Sequence, residues 1–141
     1  MKTSVQVAVA LDTSVVIPYV MQSHPAHLAT RRQLAGRQVV LTTHSLAESY
    51  SVLTRLPGDA RSTPTDAATL LAANFPESIP PDADVTRRLP DVLAPISIAG
   101  GAVYDALVGL AAAAADIALV TRDVRAVPTY AAVGATIEIM T

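Results

Sequence analysis

Cysteine and tryptophan are absent from this 141-residue chain, and phenylalanine occurs once. Without cysteine, the protein can form neither a disulfide nor a thiolate metal site. Aromatic residues make up only 4% of the chain while hydrophobic residues make up 51%, so the core has to be built mainly from Ala, Val, Leu and Ile. A mean hydropathy of +0.41 argues against intrinsic disorder.

Basic charge is also scarce, since ten Lys and Arg residues face twelve Asp and Glu residues and the net charge is −2. This is not the strongly basic profile of a protein that coats nucleic acid non-specifically. Nine of the ten basic residues are arginine, which suits local contacts to phosphate.

No hydrophobic run is long enough to suggest a membrane segment. The N-terminal run stops at Asp12, before it takes the form of a signal peptide. The stretch Val92–Ala115 is interrupted by a proline, two glycines and Asp105, which argues against a membrane span. We therefore expect a soluble, cytoplasmic protein with no membrane contact, folded as a single domain over residues 1–141.

Short β-rich runs alternate with helix-forming segments along the chain. Strands are predicted at Val5–Leu11, Val39–Leu41, around Ile79, Ile117–Thr121 and Thr136–Met140. Helices are predicted from Thr13 to about Met21, from Pro25 to before Gly36, and over Thr43–Leu56, Ala67–Asn74, Val85–Leu93, the Ala-rich segment after Gly101 to about Ala115, and Pro128–Val133. This alternation predicts an α/β sandwich with a mostly parallel central sheet.

Three carboxylates stand alone in long uncharged stretches of the chain. Asp12 is the only charged residue between Lys2 and Arg31. Glu48 and Asp105 are equally isolated, the first between Arg37 and Arg55 and the second between Asp91 and Asp116. An isolated acid in apolar surroundings is costly unless its charge is compensated.

The predicted elements bring these acids, together with Asp123, to one edge of the sheet. Asp12 and Asp123 each follow a strand directly, and ligands of parallel α/β sheets bind outside the carboxyl ends of the strands. Glu48 and Asp105 fall near the starts of helices, which face the same edge when the helix follows a strand. Four neighbouring carboxylates need either protonation or a cation, and for a cation an all-oxygen ligand set favours Mg²⁺, with Mn²⁺ as an alternative. Such a site suits hydrolysis of a phosphodiester by an activated water.

The motifs that carry these acids are similar to those of PIN-domain ribonucleases, specifically the VapC-type toxins of type II toxin–antitoxin systems. They are Leu11-Asp12-Thr13-Ser14-Val15, Leu46-Ala47-Glu48, Gly101-Ala102-Val103-Tyr104-Asp105-Ala106-Leu107 and Leu119-Val120-Thr121-Arg122-Asp123. The resemblance spans residues 5 to about 140. It implies a three-layer α/β/α fold of about five strands, Mg²⁺-dependent endoribonuclease activity, a homodimer, and inhibition by a cognate VapB-like antitoxin.

Residue by residue, the resemblance assigns metal binding and catalysis to Asp12, Glu48, Asp105 and Asp123. It assigns supporting hydroxyls to Thr13 or Ser14 and to Thr121. The departures from the family pattern are Pro18 and Pro90, which are unusual inside their predicted helices.

Structural alternatives stand beside these assignments. In the first alternative, Asp12 is a helix N-cap and binds no metal. In the second, Glu48 completes a capping box with Ser45. Asp123 can pair with the flanking Arg122 and Arg125, which are otherwise candidates for contacts to RNA phosphate. Tyr50 and Tyr104 are interpreted as core or interface residues rather than as platforms for base stacking.

Functional alternatives also stay open. The first is a PIN nuclease that processes RNA without being a toxin, and another is a non-catalytic PIN-like interaction module. An aspartyl-phosphate phosphatase or transferase also places an aspartate after its first strand. That chemistry usually needs a second aspartate two residues later, where this chain has Ser14.

Overall fold

Five parallel strands form the centre of the computed structural model, which describes residues 7–141. The strands are β1 (Ala8–Leu11), β2 (Gln38–Thr42), β3 (Ser78–Ile79), β4 (Ala118–Thr121) and β5 (Ile137–Ile139). Their spatial order is β3-β2-β1-β4-β5, and every neighbouring pair is parallel. The predicted sheet is confirmed. The first strand begins at Ala8 in the structure, and the first two residues predicted for it lie outside the described residues.

The helices follow the predicted alternation with the strands. They are α1 (Thr13–Val20), α2 (His27–Leu34), α3 (Thr43–Arg55), α4 (Pro64–Asn74), α5 (Ala83–Arg87), α6 (Leu89–Leu93), α7 (Ala102–Ala114) and α8 (Val127–Ala132). Single 3₁₀ turns occur at Gly58–Ala60, Ala94–Ile96 and Val124–Ala126. In the described part of the chain, no helix combines the length and apolar character that crossing a membrane requires.

Both faces of the sheet are covered, which gives three layers. Along β1, Val9 and Leu11 pack into one hydrophobic cluster with residues of α1–α4, while Ala10 packs into a second cluster with residues of α7 and α8. All three of these strand residues are fully buried. Burial on both faces is typical of parallel sheets and explains why β1 is apolar at successive positions.

The strand order sets the position of the functional edge. β2 and β3 lie on one side of β1, while β4 and β5 lie on the other. The order in which strands are added to the sheet therefore reverses between β1 and β4. Leu11 is in register with Leu41 of β2 and Val120 of β4. The residues after these strands therefore reach the same edge, at the crevice where ligands of open α/β sheets bind.

The two prolines that depart from the family pattern behave differently. Pro18 stays inside α1, which runs on to Val20. The predicted helix Val85–Leu93 is wrong as a single element, because it is divided into α5 and α6 with Arg88 between them at φ −107° and ψ 20°. Pro90 lies in the first turn of α6, where its missing N–H costs no helical hydrogen bond.

Candidate active site

Four carboxylates from four separate parts of the chain line one small pocket of about 50 Å³ at the carboxyl edge of the sheet. They are the predicted site residues Asp12, Glu48, Asp105 and Asp123. The remaining lining residues are Thr13, Ser14, Ser45, Val108 and Tyr130, so no lysine or arginine of the described chain lines this pocket. The structure thus brings the predicted acids together around a pocket that no lysine or arginine of the described residues lines.

Asp12 is the innermost of these acids, with only 4% of its surface exposed. It is the N-cap residue of α1, but its side chain makes no capping hydrogen bond, so capping does not explain the carboxylate. Burial raises the pKa of Asp12, and the nearby charge of Asp123 raises it further. Hydrogen bonds from Ser14, Thr121 and Tyr130 act in the opposite direction, because they stabilise the ionised form.

Two hydroxyls bind Asp12 to the segment after β4. Ser14 Oγ donates to Asp12 Oδ1 and accepts a hydrogen bond of 2.8 Å from the backbone N–H of Arg122. Thr121 Oγ1 donates to Asp12 Oδ2 and accepts one of 2.9 Å from the backbone N–H of Asp123. Each hydroxyl has a single proton. Because each hydroxyl oxygen already accepts a hydrogen bond from a backbone N–H, its proton is donated to the carboxylate of Asp12. Ser14, which lies two residues after Asp12, therefore helps to orient the aspartate.

Tyr130 is a site residue that the sequence reasoning missed. Its ring is buried in α8, with 2% of the residue exposed, and its hydroxyl donates a 2.8 Å hydrogen bond to Asp12 Oδ2. Burial raises the pKa of Tyr130 well above its usual range, and the charge of Asp12 raises it further, so the hydroxyl keeps its proton. The sequence signal that could have indicated this role was the position of Tyr130, one of four tyrosines in the chain, among apolar residues of the last helix.

A glycine of α7 allows α8 to approach closely enough to place Tyr130. A Cβ atom built on Gly109 would lie 2.6 Å from Val133 Cγ2 and 3.3 Å from the Cα of Tyr130. Real Cβ atoms do not approach other heavy atoms as closely as 2.6 Å. Glycine at this position therefore permits the packing of α7 against α8.

Glu48 lies on the pocket side of α3. The helix begins at Thr43, and the hydroxyl oxygen of Thr42 caps it by accepting a 3.0 Å hydrogen bond from the N–H of Ser45. Glu48 is therefore beyond the first turn, and the alternative that it forms a capping box with Ser45 is wrong. Its carboxylate Oε2 lies 3.4 Å from His44 Nε2.

Asp105 occupies the first turn of α7 and is half-buried. Burial raises the pKa of Asp105, and the neighbouring charges of Asp123, Glu48 and Asp12 each raise it further. His44 has the opposite, smaller effect. The pKa of Asp105 is therefore raised by the proximity of the other acids of the pocket as well as by burial.

Asp123 follows β4 and combines a local role with its place in the pocket. Its Oδ1 accepts a 3.1 Å hydrogen bond from the backbone N–H of Arg125 and lies 3.7 Å from Arg125 Nε. The predicted ion pair therefore exists, but the Arg125 side chain is 95% exposed and such a pair contributes little. Arg122 contributes its backbone N–H to Ser14, and contacts of either arginine with RNA stay predictions.

The donor set fits a hard divalent cation in chemistry and in charge. Every polar side chain that lines the pocket offers oxygen, and neighbouring acids raise the pKa of Asp12 and of Asp105. Within residues 7–141, no three acidic or histidine side chains already stand close enough to hold an ion between them. Asp12 is fixed by its three donors, so closing such a site requires rotamer changes of the more exposed acids, such as Glu48.

A parallel α/β/α fold with acids gathered at its switch point defines the class of this protein. The family model for the PIN domain matches residues 9–131, and the chain belongs to this family.

Two relatives from Mycobacterium tuberculosis are similar over almost their entire length. Ribonuclease VapC27 is 51% identical over 125 residues, which cover 89% of this chain and 91% of the relative. Ribonuclease VapC40 is 42% identical over 137 residues, which cover 94% of this chain and 99% of the relative.

Solved structures share the fold at much lower identity. VapBC2 from Rickettsia felis, bound to a DNA fragment from its promoter, matches with a TM-score of 0.67 at 15% identity, covering 95% of this chain and 99% of that one. VapBC-5 from M. tuberculosis, a member of the VapBC family of toxin–antitoxin systems, matches with a TM-score of 0.56 at 24% identity, covering 94% and 97%.

Proposed function

We propose that this protein is a Mg²⁺-dependent endoribonuclease that acts as the toxin of a VapBC-type toxin–antitoxin pair. The observation that carries the proposal is the convergence of four carboxylates from four elements on one pocket that no basic side chain lines. The names of the two M. tuberculosis relatives support RNA as the substrate. The VapBC structures with the same fold support a VapB-like antitoxin as the partner.

In this proposal Asp12, Glu48, Asp105 and Asp123 hold the cation. When bound there, Mg²⁺ supplies Lewis acidity toward a phosphoryl oxygen and lowers the pKa of a water that attacks phosphorus. The chain itself supplies orientation and charge. Ser14, Thr121 and Tyr130 hold Asp12 in one position as an ionised acceptor, so this ligand needs no reorganisation when substrate binds.

No side-chain nucleophile is needed in this mechanism, because water is the attacking group. Homodimer formation and a cytoplasmic location complete the proposal.

The direct test is cleavage of end-labelled RNA with Mg²⁺ by the wild type and by Asp12→Ala and Asp12→Asn. Asn keeps the shape of the buried side chain, so circular dichroism and thermal unfolding can establish that the variant is folded. We expect wild-type cleavage that EDTA abolishes, and none by either variant. Equal cleavage by wild type and variants would refute the assignment.

The toxin role needs a separate measurement in cells. Induction of the wild type should arrest growth, and co-expression of the protein encoded by the neighbouring reading frame should relieve the arrest. The Asp12→Asn variant should not arrest growth. Nuclease activity in vitro without growth arrest would favour an RNA-processing PIN nuclease, and the absence of both with no Mg²⁺ binding would favour a non-catalytic module.

A further inference from the structure

A shallow groove of about 650 Å³ leads away from the acidic pocket between α3 and the start of α7. It shares Glu48 and Asp105 with the pocket, so the two are continuous. The α3 residues along it recur at intervals of three or four positions and so form one face of the helix. Its lining residues include His44, Glu48, Ser51 and Arg55 of α3 and Tyr104 and Asp105 of α7.

An aromatic pair, of which one ring is exposed, lies where the groove meets the pocket. The rings of His44 and Tyr104 are stacked, with centroids 5.5 Å apart and an angle of 14° between their planes. Tyr104 is 57% exposed, so it is not the core residue that the sequence suggested as one alternative. The imidazole packs against the phenol ring and leaves most of that ring in contact with solvent.

The far end of the groove carries positive charge. Arg55 is exposed at the last position of α3, eleven residues after His44, which corresponds to about 16 Å along the helix axis. The groove therefore combines carboxylates that suit a metal, an exposed ring and a guanidinium. This combination suits a polymer that carries a scissile phosphodiester, bases and further phosphates.

The composition of the groove favours a nucleic acid over a protein segment. Ala47 is the only lining residue of this groove with an aliphatic side chain. Two other grooves of similar size, of about 560 and 480 Å³, are lined mostly by aliphatic side chains and have no charged lining residue. An aromatic face combined with a cation is instead the combination found in sites for single-stranded nucleic acid.

We infer that the His44–Tyr104 pair and Arg55 form a subsite for single-stranded RNA, in which a base next to the cleaved phosphodiester stacks on Tyr104 and Arg55 contacts a phosphate farther along. The inference rests on the proposed nuclease function, whose substrate contacts it extends. Stacking on one ring is tolerant of sequence, because every base has a π-face. The subsite therefore holds the strand in position and selects unpaired RNA rather than a particular base.

The absence of tryptophan from the chain provides a specific reporter. Tyr104→Trp creates a single tryptophan whose fluorescence a stacked base quenches. In EDTA, where RNA stays intact, we expect a single-stranded RNA oligonucleotide to quench this fluorescence and an abasic oligonucleotide of equal length and charge not to. The matched control is Tyr50→Trp, since Tyr50 is also partly exposed on α3 but lines the aliphatic groove of 480 Å³.

Affinities measured with the same oligonucleotides complete the test. Tyr104→Leu should weaken binding of RNA roughly tenfold or more, while Tyr104→Phe, which keeps the ring, should retain it. Arg55→Gln should reduce the slope of log affinity against log salt by about 0.7, the value for one phosphate contact to a single strand. Quenching that does not depend on bases, or wild-type affinity of Tyr104→Leu, would overturn the subsite.

Failure of the subsite and failure of the nuclease proposal are separable. Wild-type cleavage with Mg²⁺ and no effect of Tyr104→Leu on RNA binding would remove the subsite alone. Base-dependent quenching without any cleavage would retain the subsite and remove the nuclease. If Tyr104→Leu changes only self-association, measured by sedimentation, the aromatic pair is a protein interface and the inference is overturned.

Discussion

The hydroxyl of Tyr130 in α8 donates a 2.8 Å hydrogen bond to Oδ2 of Asp12, 118 residues earlier in the chain. Both residues are buried, and the same carboxylate oxygen accepts a second hydrogen bond from Thr121. The last helix of the structure therefore takes part in orienting the innermost acid of the candidate site.

Removing this hydroxyl should weaken the site while preserving the fold. Tyr130→Phe leaves the ring in place but deletes one donor to a buried carboxylate, which should cost about 1.5–3 kcal/mol of stability. Residues that orient a metal ligand typically contribute 10–100-fold to metal affinity or activity, so we expect RNA cleavage to fall by about that factor and the Mg²⁺ requirement to rise.

Tyr50→Phe is the matched control for this substitution, because it removes a hydroxyl from a partly exposed tyrosine that does not line the acidic pocket. Its cleavage and Mg²⁺ titration should equal those of the wild type. An unchanged Mg²⁺ titration of Tyr130→Phe would contradict the positioning role.

Thr121 should be replaceable by serine but not by valine. Its hydroxyl donates to Asp12 and accepts from the N–H of Asp123, so it connects two of the four acids. Valine matches its shape but leaves the N–H of Asp123 without this acceptor and Asp12 without this donor, at a cost of about 1–3 kcal/mol. We expect cleavage by Thr121→Val to fall at least tenfold.

Thr121→Ser serves as the rescue, since it restores the hydroxyl and loses only a methyl group. Its cleavage should return to within a few-fold of the wild type when both variants are compared under single-turnover conditions. If valine and serine variants lose activity equally, packing rather than the hydrogen bonds explains the role of Thr121.

The convergence of the acids could be predicted because it depends on short-range patterns. Asp12 and Asp123 directly follow apolar strands, and parallel neighbouring strands end at one edge. Asp105 follows Gly101 at a helix start, and Glu48 lies on the helix after β2. Strand and helix positions were therefore enough to bring these residues near one another.

The supporting contacts could not be predicted, because they depend on how distant helices pack. Tyr130 reaches Asp12 only because Gly109 lets α8 approach α7, and neither residue carries a charge or a motif. The rival assignment of Glu48 failed because Thr42, rather than Ser45, caps α3. The exposure of Tyr104 was hidden because a helix as rich in alanine as α7 gives a weak apolar pattern.

Neutralising Asp105 should stabilise the metal-free protein. The pKa of Asp105 is raised by burial and by three neighbouring acids, so its ionised form is unfavourable in the folded state. Asp105→Asn removes this charge at similar volume. Because the residue is only half-buried and solvent screens it, we expect a modest increase of about 2–4 °C in the melting temperature at pH 7, the shift that about 1 kcal/mol produces.

The sign of the pH dependence follows from the direction of the shift. A carboxylate with a raised pKa binds its proton more tightly in the folded than in the unfolded protein, so this group stabilises the fold increasingly as the pH falls through the raised pKa toward its ordinary value. The advantage of Asp105→Asn should therefore shrink as the pH is lowered. Asp59→Asn, at an exposed turn, should change stability little at any pH, and a constant advantage of Asp105→Asn would contradict the charge argument.

Gly109→Ala should destabilise the protein although alanine is the better helix former. Alanine gains about 1 kcal/mol of helix propensity in the interior of α7. Its Cβ, however, would lie 2.6 Å from Val133 Cγ2 and 3.3 Å from the backbone of Tyr130, and such overpacking typically costs about 1–3 kcal/mol. We expect a lower free energy of unfolding in urea and weaker cleavage, because α8 moves away and carries the Tyr130 hydroxyl from Asp12.

The double variant Gly109→Ala with Val133→Ala distinguishes the two contacts. Removing the Val133 methyl groups relieves the closest approach but leaves the 3.3 Å contact with the backbone of Tyr130. Partial recovery of stability without recovery of cleavage would assign the catalytic effect to the displaced Tyr130.

Gly101→Ala is the control for stability, because nothing lies within 4 Å of a Cβ at that position and its φ of −62° suits alanine. A Gly109→Ala variant as stable and active as Gly101→Ala would show that α8 accommodates the methyl group without moving Tyr130.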